Sequence, residues 1–122
     1  VTHDTQSPMY NKKESGNLKA GNGPVLCYGP AVQNNVLKMI IETAQKRKIP
    51  FQRQAVSRST GTDTDSFAYS YEGVASGLIS LPLKYMHTTV EMVHKDDVEN
   101  VINLIYEVLI QLKPGHDFRY IK

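Results

Sequence analysis

Residues 25–57, VLCYGPAVQNNVLKMIIETAQKRKIPFQRQAVS, decide the fold. Val25-Leu26-Cys27-Tyr28 is a short apolar run stopped by Gly29-Pro30, the pattern of a strand ending in a turn. From Val32 the apolar positions Val32, Val36, Met39, Ile40 and Ala44 recur at helical spacing, with Leu37 and Ile41 widening the stripe. Lys46, Arg47 and Lys48 stand where cations complement a helix C-terminus, and Pro50 forbids continuation. Phe51 to Ser57 then alternates, with Phe51, Arg53 and Ala55 on one side and Gln52, Gln54 and Val56 on the other. Strand, helix and strand in this order predict a parallel pair joined by a right-handed crossover.

Downstream, the polar run Arg58 to Ser66 predicts a loop, and a short helix over Asp65–Tyr71 is closed by Gly73. Val74 to Leu83 is nearly all apolar and reads as one continuous central parallel strand covered on both faces. A polar connection through His87 leads to a last helix. There Val98, Val101, Ile102, Ile105, Val108, Leu109 and Leu112 keep helical spacing, Asp96 and Asp97 favour the N-terminal end, and Pro114-Gly115 stops the run. Upstream, residues 5–23 carry Pro8, Gly16, Gly21 and Gly23 among Ser, Asn and Lys and read as an exposed loop. The expected architecture is a single α/β domain over residues 1–122, a three-layer arrangement with a mostly parallel sheet and helices on both faces. Such sheets place ligand sites at the carboxyl ends of their strands. The polar loops 58–66 and 84–90 lie there.

Composition narrows the function classes. Of 122 residues, 40% are hydrophobic and 21% charged, which is ordinary for a globular chain. The 14 basic and 12 acidic residues are spread along the sequence, too balanced for a dedicated nucleic-acid or anionic-membrane surface. The apolar run Val74–Leu83 is too short to cross a bilayer. A single cysteine, Cys27, cannot form an internal disulfide, and its apolar surroundings suggest a buried strand thiol; the cytoplasm is the expected location. The chain opens Val1-Thr2-His3-Asp4 without Met, so the expectation is that it begins inside a longer protein.

Three places carry residues with chemical potential. His87, in Lys84-Tyr85-Met86-His87-Thr88-Thr89-Val90-Glu91, follows the expected central strand and could bind a divalent metal or move a proton; the competing reading is a hydrogen-bonded loop histidine. Asp4, beside His3, suits zinc or cobalt, but a carboxylate near a terminus is often only solvated. Gly61-Thr62-Asp63-Thr64-Asp65-Ser66 offers hydroxyls and carboxylates leading into a helix, explained equally by anion binding or by capping through Asp63 or Thr64. His94 is expected to be exposed or capping, and Phe67, Tyr69 and Tyr71 to pack. No glycine-rich phosphate loop, paired-cysteine pattern, HExxH helix or nucleophile elbow is present.

Three stretches together resemble the glutamyl and deblocking aminopeptidases, a family that includes the tetrahedral aminopeptidases and proteins once labelled cellulase or endoglucanase. Ile79 to Glu91 resembles the segment with that family's last metal-binding histidine, Gly61-Thr62-Asp63 its Gly-Thr-Asp loop, and Gly21-Asn22-Gly23-Pro24-Val25 the strand opening after its Asp-Thr-Pro metal segment, here His3-Asp4-Thr5 followed by Gln6-Ser7-Pro8. The resemblance runs over essentially the whole chain. It implies a zinc-peptidase-like fold, peptide substrates and two divalent metal ions, zinc or cobalt, that lower the pKa of a bound water. Asp4 and His87 would be terminal ligands, one on each metal, and Thr62 and Asp63 would line or brace the substrate pocket. The sequence departs from the family's extra glycines at Ser59-Thr60 and from its Arg at Lys84, which cannot reproduce a bidentate guanidinium contact.

The resemblance also implies that the first metal histidine, bridging aspartate, general-base glutamate and its partner glutamate lie upstream of Val1. No catalytic residue of the general-base kind is therefore expected within the chain, which alone should bind metal weakly or not at all, lack activity and self-associate through exposed apolar surface or an open sheet edge. The alternative is a non-catalytic α/β scaffold without metal. A glycoside hydrolase would need two carboxylates across a sugar site. Asp63 and Asp65 share one loop and offer no such pair.

Overall fold

The computed structural model describes residues 1–121. The expected strand–helix–strand unit is present: β2 (Val25–Tyr28) and β3 (Gln52–Ala55) run parallel, with Val25 opposite Gln52, joined through α2 (Asn34–Lys46). Ahead of it lie β1 (Thr2–His3) and a short α1 (Lys12–Ser15); after it come α3 (Thr64–Ala68), β4 (Ile79–Ser80), β5 (Pro82–Lys84), β6 (Met92–Val93) and α4 (Lys95–Leu109). The chain is α/β, as expected. Its strands form two small mixed sheets, ordered β3-β2-β4 and β1-β5-β6. The β2–β3 and β1–β5 pairs are parallel and the β2–β4 and β5–β6 pairs antiparallel, so the sheet is less parallel than the alternation of elements implied.

The apolar run Val74–Leu83 is not one central strand. Val74 is 51% exposed, and only Ile79–Ser80 and Pro82–Lys84 pair. Pro82 has no N–H to give a ladder, and the carbonyl before it, on Leu81, accepts from the Thr2 amide at 2.9 Å. The chain therefore leaves β2 at Ser80 and joins β1 from Pro82. The apolar character of the residues before β4 serves α2 instead. A Cβ on Gly77 would meet Val36 Cγ1 and Ile40 Cδ1 at 3.0 Å, and the Ser76 carbonyl accepts from Gln33 N at 2.8 Å.

Val25, Leu26 and Cys27 are all buried, and since successive strand residues face opposite ways, β2 is covered on both sides. Around it, Leu37, Ile40 and Ala44 of α2 and Leu104 of α4 form the core. The two helices are tied by an Arg47 Nε–Glu107 Oε2 contact of 2.7 Å and by Gln111 Nε2 donating to Thr43 Oγ1 at 3.1 Å. The stripe on α4 is turned from where its periodicity pointed. Leu104 is buried, while Ile102, Ile105, Tyr106 and Leu109 are exposed. The short helix α3 ends at Ala68, and Phe67, Tyr69 and Tyr71 stand in solvent rather than packing. Among the described residues no helix is long and apolar enough to cross a membrane.

Candidate functional site

β1 and β5 run side by side with His3 opposite Leu83, so the chain leaves both strands at the same end. Asp4 comes directly after β1, its amide donating to Leu83 O at 2.8 Å. Asp4 is only 3% exposed. One carboxylate oxygen accepts from Gln6 N at 2.7 Å and the other from Ala20 N at 2.9 Å. Thr5, also buried, accepts from Leu18 N and donates to Gly16 O, each at 2.8 Å. The segment after β1 is thus folded back onto Gly16–Ala20, and residues predicted as plain loop hold α1 and the buried Leu18. Tyr10 closes this turn, its hydroxyl 2.7 Å from His3 Nδ1 and the rings 4.7 Å apart.

Facing that wall, Lys84, Tyr85, Met86 and Thr88 line a cleft of about 480 Å³ shared with Asp4, Gln6, Ser7, Pro8, Met9 and Tyr10. Two residues of the segment that forms this second wall have left-handed backbone, Tyr85 at φ 56° and His87 at φ 65°. Such a conformation costs a non-glycine residue about 1 kcal/mol or more and persists only where its surroundings impose it. Here the Thr88 hydroxyl donates to Tyr85 O at 2.6 Å, and the His87 amide donates to the Glu91 carboxylate. His87 itself is exposed and sits between lining residues without being one of them. The fold therefore brings Asp4 and the segment bearing His87 to one end of a parallel pair.

Thr62 and Asp63 stand elsewhere, in the loop between β3 and α3, and do not line that cleft. The loop is organised by Asp65, whose carboxylate accepts from Thr60 N, Gly61 N and Thr60 Oγ1, each at 3.0 Å. The Thr60 backbone N–H is the largest influence holding the Asp65 carboxyl below its ordinary value. Thr60 and Thr62 share a hydroxyl contact of 2.7 Å. The Asp63 carboxylate is exposed and, among the described residues, has no hydrogen bond. Asp65 is committed to its own loop, which removes it from any carboxylate pair.

Two elements of the site region went unread in the sequence. Asp97, expected only to favour a helix end, is fully buried and accepts from Gly21 N at 2.6 Å and Gly23 N at 2.8 Å. A glycine pair upstream and an acid in a distant helix's first turn gave no signal of meeting. The His3–Tyr10 contact likewise follows from a turn whose geometry is not written in periodicity. His94 does cap α4, its ring accepting from Asp96 N at 3.3 Å.

Among the described residues no group of three or more His, Cys, Asp or Glu side chains is placed to hold a metal ion. A catalytic zinc normally takes three protein ligands. The side chains of this chain alone do not fit a complete metal centre.

Comparison with known proteins agrees with the fold and with the family resemblance. The chain is 39% identical over 94 residues to a lysyl aminopeptidase of Pyrococcus furiosus, which covers 77% of this chain and 27% of that protein. The crystal structure of a TET aminopeptidase from a marine sediment archaeon, Thaumarchaeota archaeon SCGC AB-539-E09, superimposes with a TM-score of 0.83 at 26% identity, over 93% of this chain and 32% of the other. A putative peptidase/endoglucanase gives a TM-score of 0.73 at 37% identity, over 93% and 33%. The chain thus spans a third or less of the length of each of these proteins. The profile of the M42 glutamyl aminopeptidases matches residues 1–104, and the chain belongs to that family.

Proposed function

We propose that this chain forms one wall of the substrate cleft of a metal-dependent aminopeptidase, an enzyme that hydrolyses N-terminal residues from peptides. The observation that carries the reading is the cleft at the shared end of β1 and β5, lined by Asp4 on one side and by Lys84, Tyr85, Met86 and Thr88, the segment that carries His87, on the other. Membership of the M42 family supplies the reaction class. Backbone held in a sparsely populated conformation beside a cleft is a frequent companion of function.

The roles proposed are these. His87 offers an accessible imidazole nitrogen, and Asp4 keeps lone pairs on both oxygens beyond its amide bonds, so each can serve as a terminal ligand, to zinc or cobalt. The remaining donors and the general base would come from residues outside these 122. Thr62 and Asp63, outside that cleft, would line or brace a further part of the substrate pocket, the exposed Asp63 carboxylate receiving a positively charged group of the peptide. The chain alone is expected to turn over no substrate, because its donor set is incomplete.

The deciding assay is hydrolysis of aminoacyl p-nitroanilides, with zinc or cobalt added, by the enzyme at the length of its relatives. His87→Ala should lower turnover more than about 100-fold, since even residues supporting a ligand are worth about 10- to 100-fold. Unchanged turnover would remove His87 from the site. Self-association is proposed as well, on the exposed Ile102, Tyr106 and Leu109 of α4. A related structure, PhTET1-12s, is a dodecamer in its asymmetric unit. A monodisperse monomer at high concentration would argue against assembly of this chain. A cytoplasmic location is proposed on the buried, unbridged Cys27, the one cysteine of these 122 residues.

A further inference from the structure

Beyond Leu112 the chain turns at Lys113–His116, where His116 N donates to Lys113 O at 3.1 Å, and runs back across the start of α2. These residues lie outside the stretch matched by the family profile. Their hold on α2 is specific. The Phe118 carbonyl accepts from Asn35 Nδ2 at 2.9 Å and from Gln33 Nε2. The Tyr120 hydroxyl accepts from the Asn34 amide at 2.7 Å, an N–H that opens the helix and has no partner within it. Gln33 does two things at once, since its Oε1 caps Asn35 N at 2.6 Å. Phe118, stacked on His116 at 4.8 Å, is one of the residues lining an apolar groove of about 260 Å³ between α2 and α4, with Val36, Met39, Ile105, Leu109 and Leu112.

We propose that residues 113–121 are a reversible strap, latched to the first turn of α2 by Tyr120 and by the Gln33 and Asn35 amides, whose lifting opens the apolar α2–α4 groove. The latch is polar: the Tyr120–Asn34 bond is exposed, and the two bonds to the Phe118 carbonyl are partly buried. Tyr120 and Ile121 are largely exposed, and only Phe118 enters the groove. Bonds of that kind contribute little net, while ordering the segment costs backbone entropy. Nothing in the strap belongs to the core of β2, α2 and Leu104, so it can open while that core stays closed.

Native-state hydrogen exchange on the 122-residue chain tests this. The Asn34 amide should exchange at least about tenfold faster than those of Ala44 and Leu104, because it opens with the strap and they open with the core. Tyr120→Phe should speed Asn34 by a further factor of up to about ten, one net hydrogen bond, and leave Ala44 and Leu104 unchanged. Truncation after Leu112 should keep the protection of Ala44 and Leu104, abolish that of Asn34, and raise the fluorescence of anilinonaphthalene sulfonate. Exchange of Asn34 at the core's rate would overturn the proposal. So would a truncated chain that fails to fold, since the segment would then be integral, or one that folds without added dye binding.

Discussion

Replacing Asp97 tests how the glycine loop before β2 is fixed to α4. The carboxylate is fully buried and accepts two backbone amides, Gly21 N at 2.6 Å and Gly23 N at 2.8 Å. Hydrogen bonds to a charged group contribute about 1.5–3 kcal/mol each. Asp97→Ala removes both and leaves the buried Gly23 amide without an acceptor, so the loss should be about 3–5 kcal/mol. In a chain of this size 1 kcal/mol moves the melting midpoint by roughly 4 °C, giving a drop of about 12–20 °C. Asp97→Asn keeps one accepting oxygen but turns an NH₂ toward the other amide, and should fall between wild type and Asp97→Ala. Asp96 is the control. It lies in the same first turn, with a side chain 70% exposed and 3.9 Å from the His94 ring, and Asp96→Ala should cost less than about 1 kcal/mol. Urea and thermal unfolding followed by circular dichroism give all three values. An Asp97→Ala loss no larger than that of Asp96→Ala would refute this role for Asp97 and leave the loop to other contacts, among them the Gln52 side chain, which accepts from Lys19 N and donates to the Lys19 and Gly23 carbonyls.

Other outcomes follow from the same geometry. Gly23→Ala should destabilise by more than about 2 kcal/mol, because its φ is +95° and the added Cβ would lie 2.2 Å from Pro50 O; unfolding by urea reads it directly. The Cys27 thiol, pushed up by burial and further by the Asp65 carboxylate, should react with a disulfide reagent only as fast as the chain opens. Its folded pKa is raised, so the stability it contributes is complete below the unfolded value of about 8.5 and declines as pH rises toward the folded one, visible as a falling midpoint in alkaline melts. Asp65 has the opposite sign. Its folded pKa is lowered by the Thr60 and Gly61 amides, so its contribution is present above the ordinary value of 3.8 and lost as pH falls through the folded value. The Thr60 and Gly61 amide resonances should therefore shift together in an acid titration, and in Asp65→Asn they should not.

Local patterning determined a definite part of this protein. The apolar spacing of α2, the short β2 ended by Gly29-Pro30, the alternation of β3 and the acids opening α4 were each legible because a strand or helix stripe is a property of neighbouring residues. The Ile79–Glu91 and Gly61–Asp63 motifs likewise carried the family membership that the profile match supports. What tertiary structure alone decided were choices of partner across long sequence separations. Pro82, silent in an apolar count, splits one expected strand between two sheets, because Thr2 takes the carbonyl before it. The stripe of α4 predicts a helix but not its rotation, and only packing against α2 chose Leu104 for the core over Ile102 and Ile105. The meeting of Asp97 with Gly21 and Gly23, and of Asp4 with Ala20, depends on where loops fold back. Periodicity records which face of an element is apolar. Which element covers that face is fixed by contacts between residues far apart in sequence.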